Sequence, residues 1–377
     1  MAALLRPEKV LVFAAVVGAS LLRRLRRRSM RAVVLRAEGI EVHVSPFGAT
    51  ITKLVVPDRR GTKADVVLGY DHLRGYENTA DRPYFGAIVG RVANRIANGR
   101  FRIGDETFTL AATNGPNTLH GGVVGFDRVW WAMERLAPVP GEGLGEGVRL
   151  TYVSKDGEEG FPGNLTATVT YRVAAGGAER DARLVTTMTA TCDKVTPVNL
   201  AQHSYFNLAG HDCGRSVLDH RIRLHATEYT PVDDTLIPTG ATAVTAGTPF
   251  DLYSNTAGTP IGAHPPQGGY DHNFSLANYK PDKSSGVSPL GLAAEVFEPI
   301  SGRCMEVSTD VPGVQFYTGN FLHNVRGKGG ATYNKHAGFC LETQHFPDAV
   351  NQPNFVSCLL EPGRTYRHNM VHRFHTK

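Results

Sequence analysis

The sequence predicts an all-β protein, and three observations lead to that prediction. Several stretches alternate apolar and polar residues with a period of two, as strands with one buried face do. Forty-one glycines and twenty-two prolines interrupt the chain at short intervals, and no long amphipathic helix is recognisable after residue 33. Many short strands separated by turn residues are typical of an antiparallel sandwich or barrel.

Two stretches are the clearest strand candidates. Apolar residues alternate with Thr and Arg in residues 165–173, and residues 182–190 alternate in a similar but less regular way. Residues 174–181 between them are rich in Ala and Gly and predict a hairpin loop. The dipeptide Gly104-Asp105, which lies between two further strand-like runs, predicts a second hairpin.

Charge is unevenly placed along the 377 residues, whose formal net charge is +5. Residues 1–31 hold eight Lys or Arg and one Glu, so this leader carries +7. The rest of the chain holds 32 basic and 34 acidic side chains, a net charge of −2. The body of the protein lacks the excess of basic residues that nucleic acid binding requires, so we expect no nucleic-acid partner.

The leader contains an apolar run, residues 10–22, followed directly by a basic stretch, residues 23–28. The run is shorter than the ~20 residues that span a bilayer. Three alternatives stay open: a membrane anchor or interfacial segment through residues 10–28, a signal or organelle transit peptide, or an inert extension. We expect the working domain to occupy residues 32–377 and to face the cytoplasm, because basic residues after an apolar run tend to stay cytosolic.

Five cysteines are scattered through the chain, and no Cys-x-x-Cys pair or Cys/His ligand spacing appears in the sequence. The odd count favours free thiols, and no structural zinc site is predicted. Glycosylation sequons begin at Asn164 and Asn273. The sequence has no phosphate-binding P-loop, no Gly-x-Gly-x-x-Gly cradle, and no Gly-x-Ser-x-Gly elbow around Ser204.

Residues 197–210, PVNLAQHSYFNLAG, place a cluster of polar side chains at the end of a short apolar run. A histidine titrates near neutral pH, so His203 in this cluster can donate or accept a proton there. Taken alone, His203 would most simply be a buried residue that is hydrogen-bonded to a neighbour. Four other segments of the chain change that interpretation.

The cluster resembles the central motif of the aldose 1-epimerase (galactose mutarotase) family, which reads close to Asn-His-Ser-Tyr-Phe-Asn-Leu. Gln202 stands where that pattern has its first Asn and keeps a side-chain amide. Four further segments match the family in order: GRVANRI from residue 90, LHGG from residue 119, GYDHN from residue 269 and LETQ from residue 341. The resemblance covers residues 33 to 376, and five ordered motifs are far more specific than any one alone.

The resemblance implies a large antiparallel β-supersandwich with its sugar site in an open cleft. It also implies an isomerase that interconverts the α and β anomers of free hexoses such as galactose and glucose. Opening a hemiacetal needs a base at the C1 hydroxyl and an acid at the ring oxygen, with reversed roles on closure. This chemistry needs neither a redox cofactor nor a metal. We therefore expect no cofactor, a small sugar as the substrate, and a monomer.

Site residues are implied motif by motif. The resemblance assigns His203 as the general acid and Glu342 as the general base. It assigns sugar contacts to Asn94, Arg95, His120 and Asp271. Gln315 alternates with apolar neighbours and is expected to reach the same cleft.

Simpler structural roles compete with these assignments. Glu342 on an apolar strand would ordinarily face solvent. Arg91, in the same motif as Arg95, is interpreted as a structural residue paired with a carboxylate, and His272 as a residue behind or outside the site. The two glycines after His120 predict a close approach of the backbone to a ligand. A zinc triad of His120, His203 and His345 is disfavoured because no short ligand spacing supports it.

Three other functions remain as alternatives. A hexose-6-phosphate epimerase of similar fold would need two or more cationic side chains around a phosphate. A non-catalytic sugar sensor would bind the same ligand on the same scaffold. A glycosidase would need a pair of catalytic carboxylates, whereas only Glu342 matches a base motif.

A chain that starts at Arg31 should keep full mutarotase activity, because all five motifs lie after residue 89. The same truncation should abolish any association with a membrane or an organelle. Polarimetry of the purified protein and fractionation of cells that express each form measure the two effects. Loss of activity in soluble truncated protein would contradict the division of the chain at residue 31.

Overall fold

The computed structural model describes residues 32–77, 83–141, 143–176, 181–282 and 288–377, so the leader lies outside the described residues. Nearly all regular structure in these ranges is β, which confirms the predicted fold class. They contain one α-helix, Leu73–Glu77, and five short 3₁₀ turns. No helix in the described ranges is long and apolar enough to cross a membrane.

The described ranges contain twenty-eight strands. The first fourteen are β1 (Val33–Ala37), β2 (Ile40–Ser45), β3 (Thr50–Pro57), β4 (Lys63–Asp65), β5 (Ala87–Val89), β6 (Arg95–Ile96), β7 (Arg100–Ile103), β8 (Glu106–Thr109), β9 (Thr118–Leu119), β10 (Ala132–Leu136), β11 (Gly147–Ser154), β12 (Leu165–Ala175), β13 (Ala182–Cys192) and β14 (Thr196–Pro197).

The other fourteen are β15 (Ala201–His203), β16 (Arg221–Leu224), β17 (Ala226–Tyr229), β18 (Ala243–Val244), β19 (Thr259–Pro260), β20 (Asp271–Leu276), β21 (Gly291–Phe297), β22 (Arg303–Thr309), β23 (Gly313–Tyr317), β24 (Val325–Arg326), β25 (Thr332–Tyr333), β26 (Cys340–Gln344), β27 (Leu359–Leu360) and β28 (Tyr366–Thr376).

The largest sheet has nine antiparallel strands in the order β10-β11-β12-β13-β28-β22-β21-β16-β19. Its centre contains the predicted hairpin, because β12 and β13 pair along their whole length, with Leu165 opposite Cys192 and Ala175 opposite Ala182. Buried and less buried residues alternate along both strands, as the period of two predicted. The second predicted hairpin is also confirmed, since β7 pairs with β8.

A five-stranded antiparallel sheet, in the order β18-β17-β20-β23-β26, carries three of the seven residues predicted to act on the sugar, Asp271, Gln315 and Glu342. Its apolar face contributes Phe274, Phe316 and Leu341 to the main hydrophobic core. That core also contains inward residues of the nine-stranded sheet and of the four-stranded sheet β1-β2-β3-β4. The three sheets therefore share one core.

The other face of the five-stranded sheet is polar although it is buried. Asn273, Gln315 and Glu342 lie opposite one another on β20, β23 and β26, so the antiparallel register places them side by side. Each is at most 3% exposed. A Glu on an apolar strand would ordinarily face water, but Glu342 is buried on this face of the sheet.

Several histidines are buried in the fold. His368 and His372 point inward from β28, and burial lowers the pKa of His368 to about 3 and that of His372 to about 4. His368 contacts the Thr343 hydroxyl and the Leu200 carbonyl. Neither ring nitrogen of His372 has a partner among the described residues, and its ring packs against Phe206 and Phe374. His372 is therefore strongly held in its neutral form.

Replacing His372 by Phe should make the fold less sensitive to acid. Histidines of the unfolded chain bind protons near pH 6.5, whereas buried His372 does so only near pH 4. The stability that this difference provides is complete above pH 6.5 and is lost progressively as the pH falls from 6.5 to about 4. Between pH 7 and pH 5, the free energy of unfolding of H372F should fall by about 2 kcal/mol less than that of the wild type.

Urea unfolding followed by tryptophan fluorescence at the two pH values measures this difference. His264 is exposed, so H264F is the matched control and should keep the pH dependence of the wild type. An equal loss of stability in H372F and the wild type would show that His372 does not resist protonation.

Candidate active site

One cleft opens over the polar face of the five-stranded sheet and has a volume of about 290 Å³. All seven residues predicted to act on the sugar line it: Asn94, Arg95, His120, His203, Asp271, Gln315 and Glu342. These residues come from β6, β15, β20, β23 and β26 and from the loops beside them. The fold thus brings together side chains that are up to 248 positions apart in the sequence.

His203 is held rigidly at the bottom of the cleft. It is the last residue of β15, which pairs with β5. Its ring packs against those of Tyr84 and Tyr205, with centroids 5.6 and 5.2 Å away and an angle of 30° to each. Its Nε2 atom is 3.5 Å from Oε1 of Glu342. The ring is therefore aimed at the carboxyl group.

Burial shifts the pKa values of His203 and Glu342 in opposite directions. Removal from water lowers the pKa of His203 to about 4. Removal from water also raises the pKa of Glu342 well above its usual value, and the negative charge of Asp271 raises it further while Arg95 opposes the shift. Both shifts disfavour charge in a buried place. When the pair holds one proton, burial favours the neutral form with the proton on Glu342.

The ring of His120 also packs against that of His203, with 5.1 Å between the centroids and an angle of 77° between the planes. Its Nδ1 atom accepts a hydrogen bond of 3.1 Å from the backbone N–H of Asn94. A neutral His120 must then carry its proton on Nε2, because Nδ1 is used as an acceptor. His120 is therefore a hydrogen-bond donor in its neutral form.

Backbone strain accompanies this arrangement. Asn94, His120 and Tyr84 have φ values of 62°, 49° and 58°, in the left-handed region that non-glycine residues seldom adopt. Such residues cost about 1–3 kcal/mol each and concentrate at functional sites. Asn94 and His120 are also joined by a backbone hydrogen bond of 3.0 Å, so each residue supports the strained conformation of the other.

His120, His203 and Glu342 offer ligand atoms that lie within 4.8 Å of one another. This trio differs from the one considered in the sequence, because His345 does not line the cleft and instead packs against Tyr366. A metal ion on Nε2 of His120 would require the other tautomer and would break the bond from Asn94. The donor set therefore fits a hydrogen-bonding site better than a metal site.

A second group of polar residues forms the wall beside the pair. Asp271 accepts a hydrogen bond of 2.7 Å from Nε2 of Gln315 and lies 3.5 Å from a guanidinium nitrogen of Arg95. Arg95 also donates to Asn114 and, more weakly, to Asn94. The carboxylate, guanidinium and amide groups therefore form one connected network with fixed orientations.

Two acceptor atoms at the bottom of the cleft have no hydrogen-bond partner among the described residues. They are Oε2 of Glu342 and Oε1 of Gln315. Buried polar atoms are normally paired, so such atoms in a cleft indicate places for donors of a ligand. Hydroxyl groups of a sugar are donors of the required kind.

The structure also places residues in the cleft that were not predicted from the sequence. Tyr84, Asn114, Tyr205, Tyr317 and Phe321 line the cleft as well. Tyr205 belongs to the central motif, so its position next to His203 could have drawn attention. Asn114 and Phe321 lie in loops without a motif match, and Phe321 is 73% exposed at the rim.

Other candidates lie outside the cleft. Arg91 is buried, as a structural residue should be, but it donates to hydroxyl and carbonyl oxygens such as Ser154 Oγ and Pro162 O rather than to a carboxylate. His272 points away from the cleft and packs against Phe250. The expectation for the glycines after His120 was wrong for Gly121, where a Cβ would lie 1.9 Å from the Gly90 carbonyl oxygen. Gly121 thus allows two backbone segments to pack, not a ligand to approach.

Comparison with known proteins shows the family of the chain. The sequence model of the family described as Aldose 1-epimerase matches residues 31–373. The chain is 46% identical over 344 residues to galactose mutarotase from Bos taurus, covering 90% of this chain and 92% of that protein. It is 36% identical over 334 residues to aldose 1-epimerase from Escherichia coli (strain K12), covering 87% of this chain and 90% of that protein.

Solved structures show the same architecture. An aldose epimerase homologue from C. elegans superposes with a TM-score of 0.77 and 28% identity, covering 92% of this chain and 99% of that chain. Galactose 1-epimerase from Lactobacillus acidophilus NCFM superposes with a TM-score of 0.74 and 25% identity, covering 92% of this chain and 94% of that chain. In fold and in sequence, the chain belongs to the aldose 1-epimerase family.

Proposed function

We propose that the protein is an aldose 1-epimerase that interconverts the α and β anomers of free hexoses such as galactose and glucose. The observation that carries the proposal is the buried His203–Glu342 pair beside two acceptor atoms that no described residue satisfies. The family relationship supports the same conclusion.

The pair supplies the two proton transfers that the reaction needs. With the proton on His203, Glu342 removes the proton of the C1 hydroxyl while His203 protonates the ring oxygen, and the C1–O5 bond breaks. The products are an open-chain aldehyde, a neutral imidazole and a protonated glutamate. Rotation about C1–C2 presents the other face of the aldehyde. Closure then returns the two protons by the reverse transfers and yields the other anomer.

Burial assists the opening step. Before opening, the pair is ionic, with an imidazolium and a carboxylate; after opening it is neutral. The low pKa of His203 and the raised pKa of Glu342 both favour the neutral form. Before opening, the ionic form is therefore the less populated form of the pair, and the free energy needed to reach it is returned when the two proton transfers neutralise the pair.

The remaining polar residues hold the sugar in position for these transfers. His120 offers an Nε2–H donor, while Asp271, Gln315 and Arg95 offer donors and acceptors in a fixed network. Positioning of this kind lowers the entropic part of the barrier. In this proposal the leader, residues 1–31, takes no part in catalysis.

The alternatives fit the cleft less well. A phosphorylated hexose would need several converging cations, but Arg95 is the only Lys or Arg among the described residues that line the cleft, and it already contacts Asp271. A glycosidase would use Asp271 with Glu342, yet Asp271 is occupied by Arg95 and Gln315. A sensor would share this geometry, so only a measurement of rate distinguishes it from an enzyme.

Replacing Glu342 by Gln should separate turnover from binding. Glutamine keeps the shape and the hydrogen-bonding capacity of the side chain but cannot accept the proton. We expect E342Q to bind galactose within about tenfold of the wild type and to turn over on the order of 10²-fold more slowly, because the loss falls on the transition state. Calorimetric titration and polarimetry measure the two quantities.

The matched comparison is D271A, which removes the carboxylate that anchors the binding wall. Its main effect should be weaker sugar binding. If wild type and E342Q bind galactose equally and neither exceeds the spontaneous rate of mutarotation, the protein is a sensor. A D271A effect confined to turnover would show that Asp271 is misassigned.

The pH dependence of kcat/KM should be bell-shaped with an unusually low acid limb. In the free enzyme, His203 and Glu342 are active when they hold one proton between them. Activity therefore falls when a second proton binds to His203, whose pKa is lowered to about 4. Activity falls again at high pH, when the pair loses its last proton above the raised pKa of Glu342. Initial rates by polarimetry, with folding checked by fluorescence at each pH, test this. An acid limb near pH 6.5 would show that His203 is not desolvated in the working enzyme.

A further inference from the structure

Cys340 lies directly behind the proposed general acid. It precedes Glu342 by two residues on β26, so both side chains project from the same face of the strand. Its Sγ atom is 3.7 Å from Nδ1 of His203. The thiol is fully buried, and this burial raises the pKa of Cys340 well above its ordinary value. The group therefore remains a neutral thiol beside the imidazole ring.

The two nitrogens of His203 thus face different chemistry. Nε2 faces the carboxyl group of Glu342 and the cleft. Nδ1 faces the sulfur of Cys340, and the ring also hydrogen-bonds to the backbone of His203 itself, a contact that favours a protonated ring. Which nitrogen carries the proton in a neutral imidazole is set by the partner of the other nitrogen.

We propose that Cys340 is a positioning residue for His203: its sulfur receives the Nδ1–H group and leaves Nε2 as the nitrogen that exchanges the catalytic proton with the sugar. The meaning of this role for catalysis rests on the proposed function. The geometry on which it stands, a buried thiol against one ring nitrogen and a carboxyl group against the other, does not.

Sulfur is a suitable partner because it is a weak acceptor. In a Ser-His-Asp triad, a carboxylate at the equivalent nitrogen orients the imidazole and stabilises the imidazolium. A carboxylate here would hold the proton on His203 and make the ring a poor acid. A thiol orients the ring with little stabilisation of its charged form, so the imidazolium releases its proton readily to the ring oxygen of the sugar.

Other titratable groups also face His203. The rings of Tyr84, Tyr205 and His120 pack against its ring, and Glu342 contacts Nε2. Arg95 and Asp271 act on the pair through Glu342. Cys340 is the one titratable side chain, among the described residues, with a hydrogen-bond contact to Nδ1. Substitution of Cys340 therefore changes the environment of Nδ1 and leaves these other groups in place.

The test compares two substitutions that should shift the acid limb of kcat/KM in opposite directions. C340S replaces sulfur by oxygen, a stronger acceptor, and should move the acid limb of kcat/KM to higher pH by about 0.5–1 unit. C340A removes the acceptor and should move the limb to lower pH. KM for galactose should change little in either variant, since Cys340 does not line the cleft. A purely structural role would move both variants in the same direction.

Cys358 provides the matched control. It is also a buried free cysteine, but it belongs to a separate cluster with Phe346 and Phe355. C358S and C358A should leave the acid limb where it is in the wild type. If the two Cys340 variants shift the limb in the same direction, or shift it no more than the Cys358 variants do, the proposal is overturned.

Nitrogen NMR with ¹⁵N-labelled histidine tests the proposal without any measurement of activity. The signals of His203, assigned with H203N, should show the Nδ1–H tautomer at pH 7. An Nε2–H tautomer would overturn the proposal even if the enzyme is active. If the wild type shows no mutarotase activity but His203 has an Nδ1–H tautomer that weakens in C340A and not in C358A, the proposed function fails while the placement of the proton by Cys340 stands.

Discussion

The rest of the site depends on the contact between Nε2 of His203 and Oε1 of Glu342, which are 3.5 Å apart. A buried imidazole and a buried carboxyl group cannot both be charged without strong compensation, so together they favour a single proton and no net charge. The rigid aromatic rings around His203, the strained backbone of Asn94 and His120, and the covering sheet face all keep this pair in place and away from water.

The antiparallel register of three strands makes this possible. Gln315 and Glu342 are paired across β23 and β26, so their side chains lie on the same face of the sheet. Successive residues of a strand point to opposite faces, so their neighbours Phe316 and Leu341 point into the core on the other face. A register shift by one residue would send the catalytic carboxyl group into that core. Fold and chemistry therefore depend on the same alternation.

That alternation is also why much of the protein could be predicted from its sequence. The hairpin of β12 and β13 follows from a period of two that is visible in the residues. Six of the seven predicted cleft residues come from ordered motifs, and Gln315 comes from its alternation with apolar neighbours. Asn114 and Phe321 could not be found in this way, since their positions depend on how loops fold back on the sheet. The role of Gly121 was misjudged for a related reason: a glycine pair shows that something comes close, but not what comes close.

Because the sugar is uncharged and His203 and Glu342 together hold one proton throughout, the net charge of the cleft is the same in every state of the reaction. Mobile ions act mainly on charges separated by more than a Debye length, about 8 Å at physiological ionic strength. The proton transfers proposed here extend over single hydrogen bonds inside a buried site. Catalysis of this kind should proceed at nearly the same rate in dilute and concentrated salt, unlike that of enzymes that attract charged substrates through a long-range field.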